Sequence, residues 1–444
     1  MEILIIGGIA AGASIASKAK RTNKDANVSI IEIEDYVSFG ACGLPYYVGG
    51  QFDEASMMYA RSPQAFEDQG INLYLGHKAT HIDFDKKEVK ITNLKTNEEF
   101  IKKYDRLAIA TGAYPVSPIK DKTAENLLHL TKERDANKIL EQLETAEEII
   151  VIGGGFIGIE TAEQIAHKGK KVKLIQRSDV LMGRVFDREF SEYILDALKE
   201  NGVEVLLNTA LQDYTIENDR ITEVVTSEGS YKADLVIEAL GFRPNTDFID
   251  DERLLKLGNG AIIIDDMGQT SIEDVFAAGD CASVCHRQME KAYIALATYA
   301  NKMGRIVGNN IVSEKKDYDA FVGALGSSLI RIGEYGAGVT GLTEDAARDQ
   351  KIDYVSHLTK TSNHSGYWPG QSRVYIKLVY NREDRQIIGG QVFGKYGAAE
   401  RLQAITMAVY NKNTVDELGF IDFAYAPPFA SVWEALNVAG NAAK

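Results

Sequence analysis

Twice in this chain a short apolar run leads into a glycine-rich turn and then into a helix-forming stretch, and that repetition limits the fold more than any other feature. The first copy is residues 3–6, then Gly7-Gly8-Ile9-Ala10-Ala11-Gly12, then an Ala-, Ser- and Lys-rich segment reaching Arg21. The second is Glu148–Ile152, then Gly153-Gly154-Gly155-Phe156-Ile157-Gly158, with a helix expected over residues 159–168. A further strand-like run follows each copy, residues 27–33 and Lys171–Ile175. Apolar run, glycines and helical periodicity in that order read as strand, turn and helix. The glycines let backbone N–H groups approach a diphosphate, and the helix N-terminus adds partial positive charge. Gly153, Gly155 and Gly158 complete the G-x-G-x-x-G pattern, whereas Ile9 stands at the middle position of the first turn. Glu32, twenty residues beyond Gly12, is an acid placed to meet a ribose hydroxyl. Two dinucleotide-binding units in an α/β chain are therefore expected.

The rest of the chain divides around these units. Residues 88–92 and 99–103 read as a hairpin, and residues 235–239 and 261–264 as strands leading to Val275-Phe276-Ala277-Ala278-Gly279-Asp280. From residue 326 the pattern changes: residues 373–380 and 386–393 alternate around a turn, and residues 398–410 read as a helix, giving a third, α+β domain. With 49 basic against 64 acidic residues, the net charge of -15 repels phosphate backbones and anionic lipid, so no nucleic acid partner is expected. No apolar run approaches the roughly 20 residues that cross a bilayer, so no membrane partner is expected. The N-terminus lacks the features of a secretion signal, and three cysteines make no disulfide framework, which together imply a cytoplasmic location. Cys281 and Cys285 beside His286 lack a second ligand pair at zinc spacing, so no metal is expected.

With both glycine turns and Gly279-Asp280 in view, the chain resembles the flavoprotein pyridine nucleotide disulfide oxidoreductases along essentially its whole length. The resemblance implies two Rossmann-like domains, one for FAD and one for NAD(P)H, plus a C-terminal α+β dimerisation domain. The boundaries it implies are 1–112 and 243–325 for the two parts of the FAD domain, 113–242 for the NAD(P)H domain and 326–444 for dimerisation. It assigns Gly7, Ala10, Ala11, Gly12 and Glu32 to the FAD adenosine and pyrophosphate, Ala110-Thr111-Gly112 to the crossing near the flavin, and Asp280 to the ribityl chain. Ala297 is also assigned to FAD, while Gly153, Gly155, Phe156, Ile157, Gly158, Glu160, Gln176, Arg177 and Gly241 are assigned to NAD(P)H, Glu160 near the nicotinamide.

The segment that carries chemistry is Ser38-Phe39-Gly40-Ala41-Cys42-Gly43-Leu44-Pro45-Tyr46-Tyr47. A dithiol member of the family carries a second cysteine five positions after the first, but that position is Tyr47, so Cys42 works alone. A lone thiolate near oxidised flavin holds half of an external disulfide as a mixed disulfide, or cycles through sulfenic acid. The single-cysteine branch includes coenzyme A disulfide reductases, NADH oxidases, NADH peroxidases and persulfide reductases. Oxidases and peroxidases place a histidine in the first glycine turn, where this chain has Ala10. The cysteine segment is similar to that of the coenzyme A disulfide reductases, and so are the surroundings of Tyr367 and Tyr425. In those enzymes matching tyrosines reach from the partner subunit toward the cysteine and the leaving thiol, which implies a homodimer whose active site the partner completes. Lys18, Arg21 and Ser38 match positions that bind coenzyme A, although Ala41 replaces the usual asparagine.

NADH-specific members present an acid where this chain has Gln176-Arg177, so NADPH is expected alongside NADH. The expected function is FAD-dependent reduction of coenzyme A disulfide, or a related small disulfide, by NAD(P)H through a Cys42-S-S-CoA mixed disulfide. Three alternatives stay open: a water-forming NADH oxidase with oxygen as acceptor, an NADH-dependent persulfide reductase, and a flavin redox sensor that does not turn over.

Overall fold

The computed structural model describes residues 1–119, 122–290 and 292–443. The chain gathers into two compact units, each assembled from separated stretches. The first comprises Met1–Gly43, Glu54–Val116 and Phe242–Ala324. At its centre is a parallel sheet whose strands lie in the order Val275–Ala277, Arg106–Ile109, Glu2–Ile6, Asn27–Glu32, Ile71–Leu75. Ile3, Leu4, Ile5 and Ile6 are all buried, the continuous apolar run of a parallel strand covered on both faces. One cover is the first glycine helix, Ala10–Thr22, which buries Ala11, Ala13, Ile15, Ala16 and Ala19. The helix Ala297–Asn310 packs directly on it. Glycines permit that approach: a Cβ at Gly304 would lie 2.7 Å from the Ala11 carbonyl oxygen, and one at Gly308 2.6 Å from that of Ile15. The expected hairpin forms as Glu88–Asn93 against Glu99–Lys103 and gains a third strand, His77–Asp83.

Three local expectations need correction. Residues 261–264 join no ladder among the described residues; Ile262 makes only isolated bridges to Lys256 and Ala282. Ala261, Ile262 and Ile264 are buried, but their backbone partners lie in loops, as in the bond from the Ile262 amide to the Cys281 carbonyl. The strand expected over residues 27–33 ends at Glu32. The second glycine helix begins at Phe156, not at residue 159, because Gly155 is already the N-cap.

The second unit comprises Leu44–Asp53, Ser117–Gly241 and Leu325–Lys444. Its parallel sheet runs Val203–Leu206, Lys171–Ile175, Glu148–Ile152, Leu235–Glu238, Leu127–Leu128, and the helix Phe156–His167 follows the central strand. A separate antiparallel sheet has the order Ser328–Ile332, Tyr335–Gly341, Ile387–Gly394, Arg373–Asn381, Tyr354–Ser362. The expected hairpin is its centre, with Ile376 opposite Val392, and the expected helix Ala398–Tyr410 packs Leu402 and Ile405 into the core beside it. The short helix Leu44–Val48, which follows the cysteine segment, belongs to this unit and docks on the helices Glu133–Leu143 and Phe156–His167. No helix among the described residues is long and apolar enough to cross a membrane.

Candidate active site

In the first unit the glycine turn is built from two close approaches. Gly7 has φ +102°, and a Cβ there would sit 2.1 Å from the Ala110 carbonyl oxygen; a Cβ at Gly12 would sit 1.8 Å from the Gly7 carbonyl oxygen. Buried Glu32 braces the turn from beneath, its Oε2 accepting from the Gly8 amide at 2.5 Å and its Oε1 from the Glu34 amide at 2.9 Å. The helix Ala10–Thr22 starts with no side-chain cap and no acid in its first turn, leaving its amides and the positive end of its dipole to an external anion. Ala10 is half-buried and Ala11 buried in that turn. Near the sheet's C-terminal edge, Thr111 Oγ1 donates to the Asn245 carbonyl at 2.7 Å, and Gly112, at φ +65°, faces open space. Asp280 is half-buried, and burial pushes its carboxyl above the usual range; its side chain has no hydrogen bond among the described residues. Ala297 is exposed at the start of the helix Ala297–Asn310. An uncapped helix N-terminus and a half-buried acid with no hydrogen-bond partner among the described residues fit the diphosphate and the hydroxyls of FAD.

Cys42 sits on a short 3-10 turn, Ala41–Gly43, and is exposed. The loop before it is pinned. The Ser38 amide, at φ +58°, donates to the Gly8 carbonyl at 3.0 Å, the Gly40 amide donates to that of Met58 at 2.8 Å, and Phe39 packs against Tyr36 and Tyr59. Lys18 and Arg21 lie on the outer side of the first glycine helix, half-buried and exposed. A third cation, Arg61, reaches the same helix. Arg61 donates to Ser17 Oγ at 2.7 Å and lies 4.1 Å over the Phe66 ring, and burial and then Arg21 lower its pKa. The other two cysteines face different conditions. Cys281 is fully buried, its thiol donating to the Ile109 and Ala278 carbonyls, and burial pushes it up; Cys285 is pushed up by burial, Asp266 and Asp265.

The second unit repeats the same construction. A Cβ at Gly153 would lie 2.4 Å from the Ala239 carbonyl oxygen, and one at Gly158 1.8 Å from that of Gly153. Gln176 takes the place Glu32 has in the first unit: its Oε1 accepts from the Gly154 amide at 3.0 Å, while its Nε2 donates to Ser178 Oγ and the Val180 carbonyl. Gly155 opens onto free space, and the helix it starts, with Phe156 and Ile157 half-buried in the first turn, has no acid there. Arg177 is exposed, with no ion pair or hydrogen bond among the described residues, and Gly241, at φ +97°, is exposed. These features fit a dinucleotide whose adenosine end meets a cation. Glu160, one turn into the helix, accepts a hydrogen bond from the Tyr46 phenol at 3.0 Å. Burial, together with Glu163, pushes its carboxyl up to about 7, with the Tyr46 bond acting in the opposite direction.

Two further arrangements in this unit are tertiary. Tyr367 and Tyr425 are exposed and bring their hydroxyls to 3.3 Å of each other. Buried Arg401, ion-paired with Glu434, ties their loops by donating to the Asn363 and Phe429 carbonyls. The hydrogen bond between the phenols raises the pKa of Tyr367 and lowers that of Tyr425. Where the helix Arg188–Glu200 begins, buried Lys377 from the antiparallel sheet meets Asp187 at 3.1 Å, Glu189 at 3.0 Å and Glu344 at 3.1 Å. Asp187 also accepts from Gln391 Nε2 at 2.6 Å.

The expected FAD, cysteine and coenzyme A positions thus lie in the first unit, and the expected NAD(P)H positions and both tyrosines in the second. Sequence reading missed Tyr46, Arg61 and Lys377. Tyr46 stands four residues after Cys42 inside the segment already singled out, and a tyrosine on a short helix after the reactive residue was the signal available for it.

Comparison with known proteins accords with this construction. The signature of the pyridine nucleotide-disulphide oxidoreductases matches residues 1–304, and that of their dimerisation domain residues 331–436. An NADH oxidase of Enterococcus faecalis is 32% identical over 100% of this chain and 99% of its own. An NAD(P)H coenzyme A polysulfide/persulfide reductase of Pyrococcus horikoshii is 33% identical, covering 100% and 98%, and a coenzyme A disulfide reductase of Staphylococcus aureus is 29% identical, covering 100% of both. Among solved structures, an engineered water-forming NADPH oxidase derived from the Lactobacillus brevis NADH oxidase, with NADPH bound, superposes with a TM-score of 0.94 at 29% identity, covering 100% of this chain and 98% of that one. With two nucleotide turns, an exposed cysteine between them in sequence and a dimerisation domain at its end, the chain belongs to the pyridine nucleotide-disulphide oxidoreductase family, whose members use FAD and NAD(P)H.

Proposed function

We propose that this chain reduces coenzyme A disulfide, or a closely related small disulfide, with electrons from NAD(P)H, and that Cys42 is the nucleophile. The observation that carries the reading is the convergence of the Tyr367 and Tyr425 hydroxyls to 3.3 Å on an exposed face of the dimerisation domain. Both phenols are exposed in this chain, and in a homodimer such a pair is a proton donor for a thiolate leaving the partner's cysteine. The relatives named for coenzyme A disulfide and for coenzyme A persulfide support the same substrate class.

In this reading the first glycine turn, Ala10, Ala11, Glu32, the Ala110-Thr111-Gly112 crossing, Asp280 and Ala297 hold FAD. Bound FAD supplies the two-electron relay between nicotinamide and thiol. Gly153, Gly155, Phe156, Ile157, Gly158 and Gly241 seat the reduced nucleotide, and Glu160 stands beside its nicotinamide. Arg177 offers a guanidinium to a 2'-phosphate, and Gln176 spends its amide on the turn without adding negative charge, so NADPH is accepted along with NADH. The L. brevis-derived NADPH oxidase supports this, since its substitutions remove an aspartate and introduce two arginines and a serine, the chemistry of Arg177-Ser178 here.

Lys18, Arg21 and Arg61 take the phosphates of coenzyme A, and Ser38 lies at the cysteine loop. The Cys42 thiolate attacks one sulfur of the disulfide, forming Cys42-S-S-CoA and releasing the first thiolate, which takes a proton from the tyrosine pair. Two electrons from NAD(P)H then cleave the mixed disulfide, releasing the second thiol and regenerating the Cys42 thiolate. Such a resting thiol suits a reducing compartment, the cytoplasm.

The test is anaerobic turnover with coenzyme A disulfide together with intact mass. Two thiols should appear per NAD(P)H consumed, and a coenzyme A adduct should form on the wild type and be absent from Cys42→Ser. Unchanged thiol release by Cys42→Ser would refute the reading. The second reading, a water-forming oxidase, is favoured by the E. faecalis and L. brevis relatives; it requires oxygen uptake matching NADH loss without peroxide, and Ala10 supplies no proton donor for it.

A further inference from the structure

We propose that Tyr46 is the positioning residue for Glu160: its phenol, donating to the carboxylate at 3.0 Å, holds in one orientation the group that faces the nicotinamide and ties it to the helix that follows Cys42. This rests on the reading, given above, that Glu160 stands beside the nicotinamide.

The geometry is specific. Tyr46 lies on the five-residue helix Leu44–Val48, which is fixed to the rest of the second unit at several points. Tyr47 donates from its hydroxyl to Asn137 Oδ1 at 3.2 Å, and Gly49 is so close to the second glycine helix that a Cβ there would sit 2.0 Å from Gln164 Oε1. Tyr46 therefore presents its hydroxyl from a rigid platform. Among the described residues it is the sole hydrogen-bond donor to the Glu160 side chain, and no lysine or arginine forms an ion pair with that carboxylate.

Electrostatics makes the contact consequential. A carboxylate withdrawn from water and lacking a cation depends on whatever donor it has, and a hydrogen bond to the charged form favours that form. Burial and Glu163, one turn further along the same helix, push Glu160 up to about 7, and the Tyr46 bond is the influence that opposes them. The phenol itself is pushed well up by burial and by the charge of Glu160, with Arg331 on the strand Ser328–Ile332 acting the other way. Tyr46 consequently stays a neutral donor throughout the range in which Glu160 titrates.

The test is the pH dependence of flavin reduction by NADPH, followed anaerobically by stopped flow in the holoenzyme, for the wild type, Tyr46→Phe, Glu160→Gln and the double variant. In the wild type the rate should change with a midpoint near 7. In Tyr46→Phe the midpoint should move to higher pH by about one unit, a tenfold change in proton affinity, and the rate at neutral pH should fall by about three- to tenfold. Glu160→Gln should remove that inflection, and adding Tyr46→Phe to it should change nothing further. If Tyr46→Phe keeps the wild-type midpoint while Glu160→Gln lacks it, Tyr46 is packing alone and the proposal fails. If Glu160→Gln itself keeps both the inflection and the rate, the reading of Glu160 beside the nicotinamide fails, and the proposal with it. Tyr46→Met, which also removes the hydroxyl, is judged by the same criteria should the phenylalanine variant not retain flavin.

Discussion

Removing Lys377 would leave a cluster of three acids without its buried cation. The Lys377 side chain is 2% exposed, and its ammonium is shared by Asp187 at 3.1 Å, Glu189 at 3.0 Å and Glu344 at 3.1 Å. Two oxygens each about 3 Å from one nitrogen lie at most about 6 Å apart, so at an effective dielectric near 20 each close carboxylate pair repels by about 3 kcal/mol once the cation is gone. Glu189 is 42% exposed, so without the lysine its carboxylate is free to turn to water, which leaves Asp187 and Glu344 as the pair that matters. Lys377→Met should therefore destabilise the second unit by about 3–5 kcal/mol, within the usual range for breaking a buried ion pair. At about 2–3 °C per kcal/mol for a unit of this size, the melting temperature should fall by about 10 °C in scanning fluorimetry. The pH dependence fixes the sign. Burial already holds the Asp187 carboxyl above its usual range despite Lys377 and Gln391, and losing the lysine raises it further. A carboxyl raised in the folded state favours folding at low pH, and that contribution is lost as pH rises through its folded value. The deficit of Lys377→Met should shrink as the pH is lowered from about 8 to about 5, and adding Asp187→Asn should recover part of it at neutral pH. A variant that melts with the wild type at neutral pH, or whose deficit grows on acidification, would refute the reasoning.

Arg177→Ala should lower kcat/KM for NADPH by about ten- to a hundredfold and leave NADH nearly unaffected, as steady-state kinetics with the two coenzymes will reveal. Gly158→Ala drives a methyl to 1.8 Å from the Gly153 carbonyl oxygen, so flavin should be retained while reduction by either nucleotide is lost; Gly12→Ala should give the converse, a colourless protein by absorbance. Tyr425→Phe should lower kcat for disulfide reduction by about tenfold or more, and leave flavin reduction by NADPH unchanged in single turnover.

What could be read from the sequence, and what could not, follows from how far apart the cooperating residues are. The two glycine turns were plain because strand, turn and helix are contiguous and each glycine answers a contact only a few residues away, as Gly12 does with the Gly7 carbonyl. The hairpin of residues 373–380 and 386–393 was plain for the same reason, since alternation and turn sit together. Residues 261–264 misled because a buried apolar run looks like a strand whether or not a neighbour pairs with it, and Ile262 finds only isolated bridges. Lys377 carries no signal of its own within the strand of residues 373–380, because its three acids come from positions 187, 189 and 344. The contact between Tyr46 and Glu160 spans 114 residues and has no periodicity to betray it. The braces beneath the turns are half legible: in sequence Glu32 reads as an acid for ribose, but its bond to the Gly8 amide, repeated by Gln176 at Gly154, depends on the folded turn.

The interleaving of the two units also sets an order of biosynthesis. The strand Val275–Ala277 closes one edge of the sheet begun at Glu2–Ile6, by pairing with Arg106–Ile109. Until that strand leaves the ribosome, the nascent chain carries Arg106–Ile109 as an open edge while Ser117–Gly241 is being translated. At about 5–20 residues per second that exposure lasts on the order of ten seconds, long enough for an unpaired apolar strand to seek neighbours on the same polysome. Chains halted before Val275 should accumulate as aggregates, whereas chains halted after Ala324 contain every stretch of the first unit and can load flavin before release.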